Sequence, residues 1–149
     1  MGILLLCHLL AIVVWIGFVA WNAHRDAAAI AADGAANILH EKFHRQRLTM
    51  RVGAAVGLAV SANVAAWPSL LPAAGLLCFL TGWFAWRFNT MVSLLRGLDP
   101  FYVSKDPDAA LFPDRLMTRW QVSLRPVLLA AVWAGALAEV TGLVWYYYG

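Results

Sequence analysis

Long apolar blocks alternate with shorter polar stretches along this chain of 149 residues. The four apolar blocks cover residues 2–23, 48–67, 70–86 and 122–148. At about 1.5 Å of rise per residue, a helix formed by each block covers roughly 25 Å or more, about the thickness of one hydrocarbon core. The pattern therefore predicts an all-α integral membrane protein. Its single domain, residues 1–149, is expected to fold as a bundle of four transmembrane helices.

The amino-acid composition agrees with this interpretation. Hydrophobic residues make up 62% of the chain and charged residues 13%, whereas a soluble domain is about half apolar and about a quarter charged. Both cysteines, Cys7 and Cys78, lie inside apolar blocks and form no C-x-x-C motif. We therefore expect two buried free thiols rather than a disulfide or a cysteine-type zinc site.

The positive charges predict an orientation for the bundle. All eleven lysines and arginines lie in or beside two connections, residues 24–47 and 87–121. By the positive-inside rule, these connections are cytoplasmic and both termini lie outside. Because the cations sit beside the membrane, the net charge of +3 does not indicate a nucleic-acid partner. Residence in a bacterial inner (plasma) membrane is the corresponding expectation.

The connections are expected to contain helix beyond the membrane. The first helix is predicted to continue to Asp33, where Asp33-Gly34 is a natural stop, and the third to continue to the sequence GLDP at 97–100. Residues 106–120 begin with Asp-Pro and carry apolar side chains. They predict a short interfacial helix before the fourth span.

Membrane lipid is an expected partner of the basic residues next to the spans. The arginines expected to contact lipid phosphates are Arg47, Arg51, Arg115 and Arg119. A structural role is the alternative for part of this set, because Asp26 or Asp33 of the first helix is placed to pair with Arg45 or Arg47. A solvated charged face is the alternative for the interfacial segment.

The sequence HEKFH at 40–44 matches the H-E-x-x-H motif of zinc peptidases. On a helix, His40 and His44 share one face, and Glu41 would be the general base. However, Lys42 lies between the histidines, and a cation there competes electrostatically with a dication. No third ligand is marked by its spacing. A polar juxtamembrane helix is therefore favoured over a metal site, no catalytic residue is assigned, and the balance is against an enzyme.

Four polar residues lie inside the outer halves of the predicted spans: His8, Asn63, Thr81 and Glu139. An acid inside a span is costly, so Glu139 is a candidate functional residue that faces the bundle interior. His8 lies at a similar depth from the outer surface. We predict a hydrogen bond between His8 and Glu139 that Asn63 extends. The pair is interpreted as polar packing, as a proton or ion path, or as part of a cofactor site.

Small residues recur at helical spacing on three of the predicted spans and let helix backbones approach closely. The helix-packing candidates are Gly53, Gly57 and Ser61 on the second span, Gly82 on the third, and Gly135 and Gly142 on the fourth. These stripes predict either a compact bundle or an interface with other protomers. A homo-oligomer, or assembly with other membrane subunits, is expected on this basis.

The first span carries the pattern H-x6-W-x-G, formed by His8, Trp15 and Gly17. It resembles the first span of copper-resistance-D-like membrane proteins and of the related haem-binding, protoporphyrinogen-oxidase-type proteins. In the latter the equivalent histidine is a haem ligand, so the resemblance implies that role for His8. The other three histidines of the chain belong to the opposite side of the membrane.

Three functions remain open from the sequence. The first is a non-catalytic subunit or scaffold that associates through small-residue helix faces, which predicts an uncovered face on the protomer. The second is a small transporter or channel component that uses His8 and Glu139, which requires a hydrated site. The third is a metal- or haem-binding membrane enzyme, with zinc at HEKFH or haem at His8.

Overall fold

The computed structural model describes residues 2–33, 41–66, 69–102 and 124–148. These ranges contain four α-helices and one short 3-10 turn at Val64–Ala66, and no strand. The helices are α1 (Gly2–Asp33), α2 (Glu41–Ala62), α3 (Leu71–Leu95) and α4 (Leu124–Tyr148). The all-α class is therefore confirmed. The predicted interfacial helix at 106–120 lies outside the described residues.

Three of the described helices are long and apolar enough to cross a membrane. They are the segments Gly2–Ala32, Leu71–Leu95 and Pro126–Tyr148. α2 differs because charged residues occupy its first three turns. Its regular helix also ends at Ala62, five residues before the end of the predicted span at 48–67. The chain is thus a helical membrane protein with three evident candidate spans, and α2 needs a separate argument.

The helix ends follow local signals in the sequence. α1 is described as helix to Asp33, and Gly34 of the predicted Asp-Gly stop lies outside the described residues. After α3, Gly97 adopts a positive φ of 69°, a conformation that glycine reaches without strain. The N–H of Gly97 donates to the Leu94 carbonyl and that of Leu98 to the Ser93 carbonyl, both at 2.9 Å. This Schellman geometry confirms the predicted end of α3 at GLDP.

The burial pattern of the bundle is the reverse of that in a soluble protein. The inward stripe of α1 carries polar and small side chains with a few large ones: Leu4, His8, Ala11, Trp15, Val19, Asn22, Ala23 and Asp26. Large apolar side chains point outward instead, for example Ile3, which is 73% exposed, and Leu137, which is 66% exposed. This arrangement, with apolar side chains outside and polar groups inside, is typical of a helical bundle whose surface faces lipid.

Contacts at the two ends of α1 give the direction of its neighbours. α2 runs antiparallel to α1, because Asn63 approaches His8 at one end and Arg51 approaches Asp26 at the other. α3 runs parallel to α1, and the indole N–H of Trp15 donates to the Leu80 carbonyl at 2.7 Å. We call the two ends of the bundle the His8 end and the Asp26 end.

α4 packs antiparallel along α3 through glycines on both helices. A Cβ added at Gly75 would lie 2.5 Å from the Ala138 carbonyl oxygen, and one at Gly135 would lie 2.7 Å from that of Cys78. Gly82 and Gly142 are equally closed by the facing backbone. Three of the helix-packing candidates, Gly82, Gly135 and Gly142, thus lie against a facing backbone, and Gly75 does the same. The seven-residue interval within each pair suits a left-handed crossing of two helices.

Gly53, Gly57 and Ser61 do not pack against the described helices of the protomer, which leaves the interface alternative as the prediction for them. All three are exposed, and a Cβ at either glycine would meet no atom of the described residues within 4 Å. α2 instead turns its alanines inward, with Ala55 and Ala59 1% and 2% exposed. The reason lies in the polar residues at the two ends of that alanine stripe. Arg51 and Asn63 share its face at four-residue intervals, and their partners on α1 hold the rotation of α2.

Candidate functional site

Three helical elements bring His8, Asn63 and Glu139 together inside the bundle. His8 is 1% exposed, Asn63 5% and Glu139 7%. Nδ1 of His8 lies 2.5 Å from Oε1 of Glu139, and Nε2 of His8 lies 3.0 Å from Oδ1 of Asn63. The hydrogen bonds predicted from the sequence are thus present. We call these residues the buried triad.

Glycines position Glu139 within reach of α1. α4 meets the rest of the bundle mainly through α3, so the Glu139 side chain must pass α3 to contact His8. A Cβ at Gly75 would lie 2.9 Å from the Glu139 Cα, which shows how closely the two backbones approach at this level. Gly135 and Gly142 flank Glu139 on its own helix. The close α3–α4 contact therefore lets a single carboxylate side chain reach from α4 to α1.

The hydrogen bonds of Asn63 define the proton positions on His8. The amide nitrogen of Asn63 donates to the Ala59 carbonyl at 2.7 Å, so the amide oxygen faces His8. Since that oxygen accepts only, Nε2 of His8 carries a proton. The contact with Glu139 then holds one proton, either on Nδ1 of an imidazolium or on the carboxyl oxygen. In both forms the pair has zero net charge, which reduces the cost of burying it.

One oxygen of the buried triad has no partner among the described residues. Oε2 of Glu139 is buried and accepts no hydrogen bond from any of them. A buried carboxylate oxygen normally has a donor, and an exception calls for an explanation. The triad therefore has a free acceptor position next to a shared proton.

Thr81, the fourth intramembrane candidate, does not join the triad. It is exposed, and its hydroxyl donates to carbonyls of its own helix, 2.9 Å from Leu77 O and 3.0 Å from Cys78 O. α3 directs Leu80 toward α1 and Gly82 toward α4, and Thr81 falls between them on the remaining side. Thr81 lies at a depth similar to that of the triad, but its direction on α3 keeps it out of the triad.

Sequence reasoning missed two buried polar groups that continue the line of His8 along α1. Trp15 bonds to α3, and Asn22 is fully buried and donates to the Phe18 carbonyl at 2.8 Å. Each follows the previous polar residue by seven positions. That interval is the repeat of one helix face in a left-handed bundle, and it is the signal that identifies them.

A second polar group lies at the Asp26 end of the bundle. The Asp26 carboxylate accepts hydrogen bonds from Arg47 and, at 2.6 Å, from Arg51. The ion pair between Asp26 and Arg47, predicted as the structural alternative, is thus present. Both arginines were also expected to contact lipid phosphates, which stays a prediction for the guanidinium nitrogens that do not bond to Asp26. Arg115 and Arg119 lie outside the described residues.

The HEKFH motif, the candidate zinc site, falls largely outside the part of the chain that the structure describes. His40 lies outside the described residues, and so do the side chains of Glu41 and His44. Among the residues that the structure describes, no three histidine, cysteine or acidic side chains converge. Cys7 and Cys78 are both free thiols, as expected, but neither is buried: Cys7 is half-buried and Cys78 is exposed.

The haem role implied for His8 does not fit the buried triad. An axial bond to iron needs a ring nitrogen with a free lone pair. Nδ1 is held by Glu139, and Nε2 carries the proton that it donates to Asn63. Haem ligation would require His8 to release one of these partners.

Comparisons with known proteins add no identity to this geometry. No protein-family model, no curated protein and no solved structure matches the chain.

Proposed function

We propose that the protein is a small non-catalytic membrane subunit that assembles through an open small-residue face of α2. The observation that carries this proposal is the contrast between two sets of small residues. The glycines of α3 and α4 are closed by the facing helix, whereas Gly53, Gly57 and Ser61 are exposed and no described helix covers them. Small residues at four-residue spacing form a groove into which another transmembrane helix fits closely.

The remaining chemistry of this face also suits a partner helix. Val52, Val56 and Val60 are exposed and form a ridge beside the groove. Stiff β-branched side chains lose little conformational entropy when they pack, which favours association.

A second copy of the chain is the occupant that we propose for this face. Copies inserted with the same orientation present their α2 helices in parallel. A two-fold axis along the membrane normal then brings the groove of one copy against the ridge and groove of the other. Parallel crossing at small-xxx-small residues is a common arrangement of membrane helix pairs.

This assembly requires α2 to cross the membrane with the other helices, and we include four spans in the proposal. The contacts of α2 with both His8 and Asp26 of α1 support it, because they extend α2 along most of the same thickness. Both termini then lie on one side. The positive-inside rule makes that side the outer one and places the Asp26 end at the cytoplasm of a bacterial cell.

Substitution of Gly57 by isoleucine tests the proposal. We expect self-association in lipid bilayers, measured by energy transfer between labelled copies, to weaken at least about tenfold, which corresponds to about 1.4 kcal/mol. Gly17→Ile is the matched control, because Gly17 is also open to the surroundings but belongs to no small-residue stripe. Association of wild-type copies that survives Gly57→Ile would refute this interface. A strictly monomeric wild type would refute the homo-oligomer.

A proton- or ion-handling role is the second candidate, and the unpartnered Oε2 of Glu139 favours it. It ranks lower because transport needs a hydrated site, whereas His8 is closed from its surroundings and the equally buried Trp15 packs two turns below it. Proton flux into liposomes that contain the wild type would reverse this ranking if the Glu139→Leu variant reduced the flux to the rate of empty liposomes.

A further inference from the structure

Three arginines surround a single carboxylate at the Asp26 end of the bundle. Arg47 and Arg51 of α2 bond to Asp26, and Nε of Arg25 lies 3.7 Å from the same carboxylate. We call Arg25, Asp26, Arg47 and Arg51 the arginine cluster. Its side chains are largely withdrawn from the surroundings, with Arg47 12% and Arg51 13% exposed, while Arg25 is 32% exposed.

The position of the arginine cluster is that of a membrane boundary. The helical rise from Gly2 to Arg25 is roughly 35 Å, slightly more than one hydrocarbon core. Trp21 is exposed, and the Arg25 guanidinium lies 4.6 Å from the centroid of its ring. Exposed tryptophans concentrate at the level of lipid head groups, where phosphate groups are located.

The charges of Arg25, Arg51 and Asp26 do not balance. The two guanidinium groups carry two positive charges, and Asp26, which Arg47 also contacts, carries one negative charge. In addition, the Nε–H groups of Arg25 and Arg51 are buried and have no acceptor among the described residues. Buried donors on charged groups are costly when they lack an acceptor. An anion at the exposed side of Arg25 would offset the excess positive charge.

Aromatic rings hold the guanidinium groups in fixed positions. Cζ of Arg51 lies 4.3 Å from the ring centroid of Phe88 and 5.1 Å from that of Phe84. Asn22 accepts a hydrogen bond from Arg25 at 3.2 Å. A guanidinium that is already oriented loses little freedom when it binds, and its planar fork matches the oxygens of a phosphate group. The arginine cluster is therefore organised for an oxyanion before one arrives.

We propose that the arginine cluster binds a phosphate group, through Arg25 and Arg51, at the membrane boundary. The phosphate belongs to the head group of an anionic lipid or to a soluble phosphate compound. Asp26 holds Arg51 in place and limits the charge of the empty site. This site is separate from the open face of α2 and does not depend on assembly.

Thermal unfolding with selected additives tests this site, followed by the fluorescence of the eight tryptophans. We expect phosphatidylglycerol, added to the protein in uncharged detergent, to raise the unfolding temperature more than phosphatidylcholine does. Arg25→Gln should weaken the apparent affinity for phosphatidylglycerol about tenfold, as expected for one charge-assisted contact. Arg25 is chosen because it is the most exposed of the three arginines, and its loss leaves the Asp26–Arg51 contact intact.

The matched control is Arg96→Gln, which removes an exposed cation at the end of α3. A selective response of wild type and Arg96→Gln that is lost in Arg25→Gln supports the proposal. Equal losses in the two variants, or none in Arg25→Gln, would overturn it, because surface charge would then explain the effect. Inorganic phosphate in place of lipid separates the sources. Stabilisation by phosphate that requires Arg25 indicates a soluble ligand, and a response to the lipid alone indicates a head group.

Discussion

His8 makes two hydrogen bonds that differ in kind. The bond to Asn63 has a fixed direction, because the Asn63 amide is oriented by the Ala59 carbonyl. The bond to Glu139 holds a proton that either partner can carry. His8 therefore has one hydrogen bond with a fixed proton position and one in which either partner can carry the proton. At the scale of residues, the pair His8–Glu139 is the place where the buried triad can change state without changing its net charge.

A double-mutant cycle measures the coupling within this pair. We expect His8→Leu and Glu139→Leu each to lower the free energy of unfolding by about 1–3 kcal/mol, because each leaves the other residue without its partner in an apolar bundle. The double variant should lose about 0.5–2 kcal/mol less than the sum of the two. Unfolding in mild detergent provides the measurement. Thr81→Ala is the control, with a change within about 0.5 kcal/mol. Additive losses would show that the contact contributes no coupling.

The residues of the triad were predictable because a membrane leaves few choices. His8, Asn63 and Glu139 are polar groups at similar depth in apolar segments, and such groups seek one another. The same depth argument made Thr81 a polar candidate, but a hydroxyl can bond to the carbonyls of its own helix, as Thr81 does. His8 and Glu139 do not bond to carbonyls of their own helices at this site and bond to each other instead. Residue type therefore separates the partners better than depth does.

At the scale of helices, the α3–α4 contact depends on the absence of side chains at four positions. Gly75 and Gly82 of α3 meet the α4 backbone, and Gly135 and Gly142 of α4 meet that of α3. No rearrangement of a flexible side chain can relieve a clash there, because the facing atoms belong to the backbone. The separation of the two helices is consequently fixed by glycine, and so is the reach of Glu139.

Gly75→Ala is expected to destabilise the bundle by about 1–3 kcal/mol, the usual cost of overpacking. The added methyl group must push α4 away from α3 and lengthen the contact between Glu139 and His8. Gly53→Ala is the matched control on α2. It meets open space and should stabilise the monomer by about 0.5–1 kcal/mol through helix propensity. Thermal unfolding under monomeric conditions compares the two, and equal effects would contradict the close α3–α4 contact.

The rotation of α2 was not predictable from its small residues alone. Two stripes compete on this helix, the alanines that include Ala55 and Ala59, and the glycines Gly53 and Gly57. Both stripes consist of residues small enough to pack closely against α1 and α3. The choice depends on Arg51 and Asn63, whose partners lie on another helix. The pattern of one helix thus contains the candidates, and the tertiary contacts select between them.

At the scale of the whole molecule, α2 decides on which sides of the membrane the termini lie. α1 and α3 run in the same direction, and the chain must return between them. If α2 spans, four crossings place the termini on one side. Three crossings would place them on opposite sides. The hydrogen bond from His8 near the start to Glu139 near the end favours the first arrangement.

Reporter fusions at the two termini test this topology. We expect a periplasmic reporter to be active, and a cytoplasmic reporter inactive, at both the N- and the C-terminus of the full chain. The same reporters inserted after Gly97, in the loop at the end of α3, should give the opposite pattern and serve as the internal control. Different results at the two termini would eliminate the four-span arrangement together with the proposed α2 interface.

The contact between His8 and Glu139 joins residues 131 positions apart. During synthesis, α1 leaves the ribosome long before α4 exists, so His8 enters the membrane without its acidic partner. α4 supplies that partner only after α1, α2 and α3 have been made. Any product that stops before Glu139 leaves Nδ1 of His8 without its partner in the triad, while the bond to Asn63 stays possible. The buried triad can therefore form only once synthesis has passed Glu139.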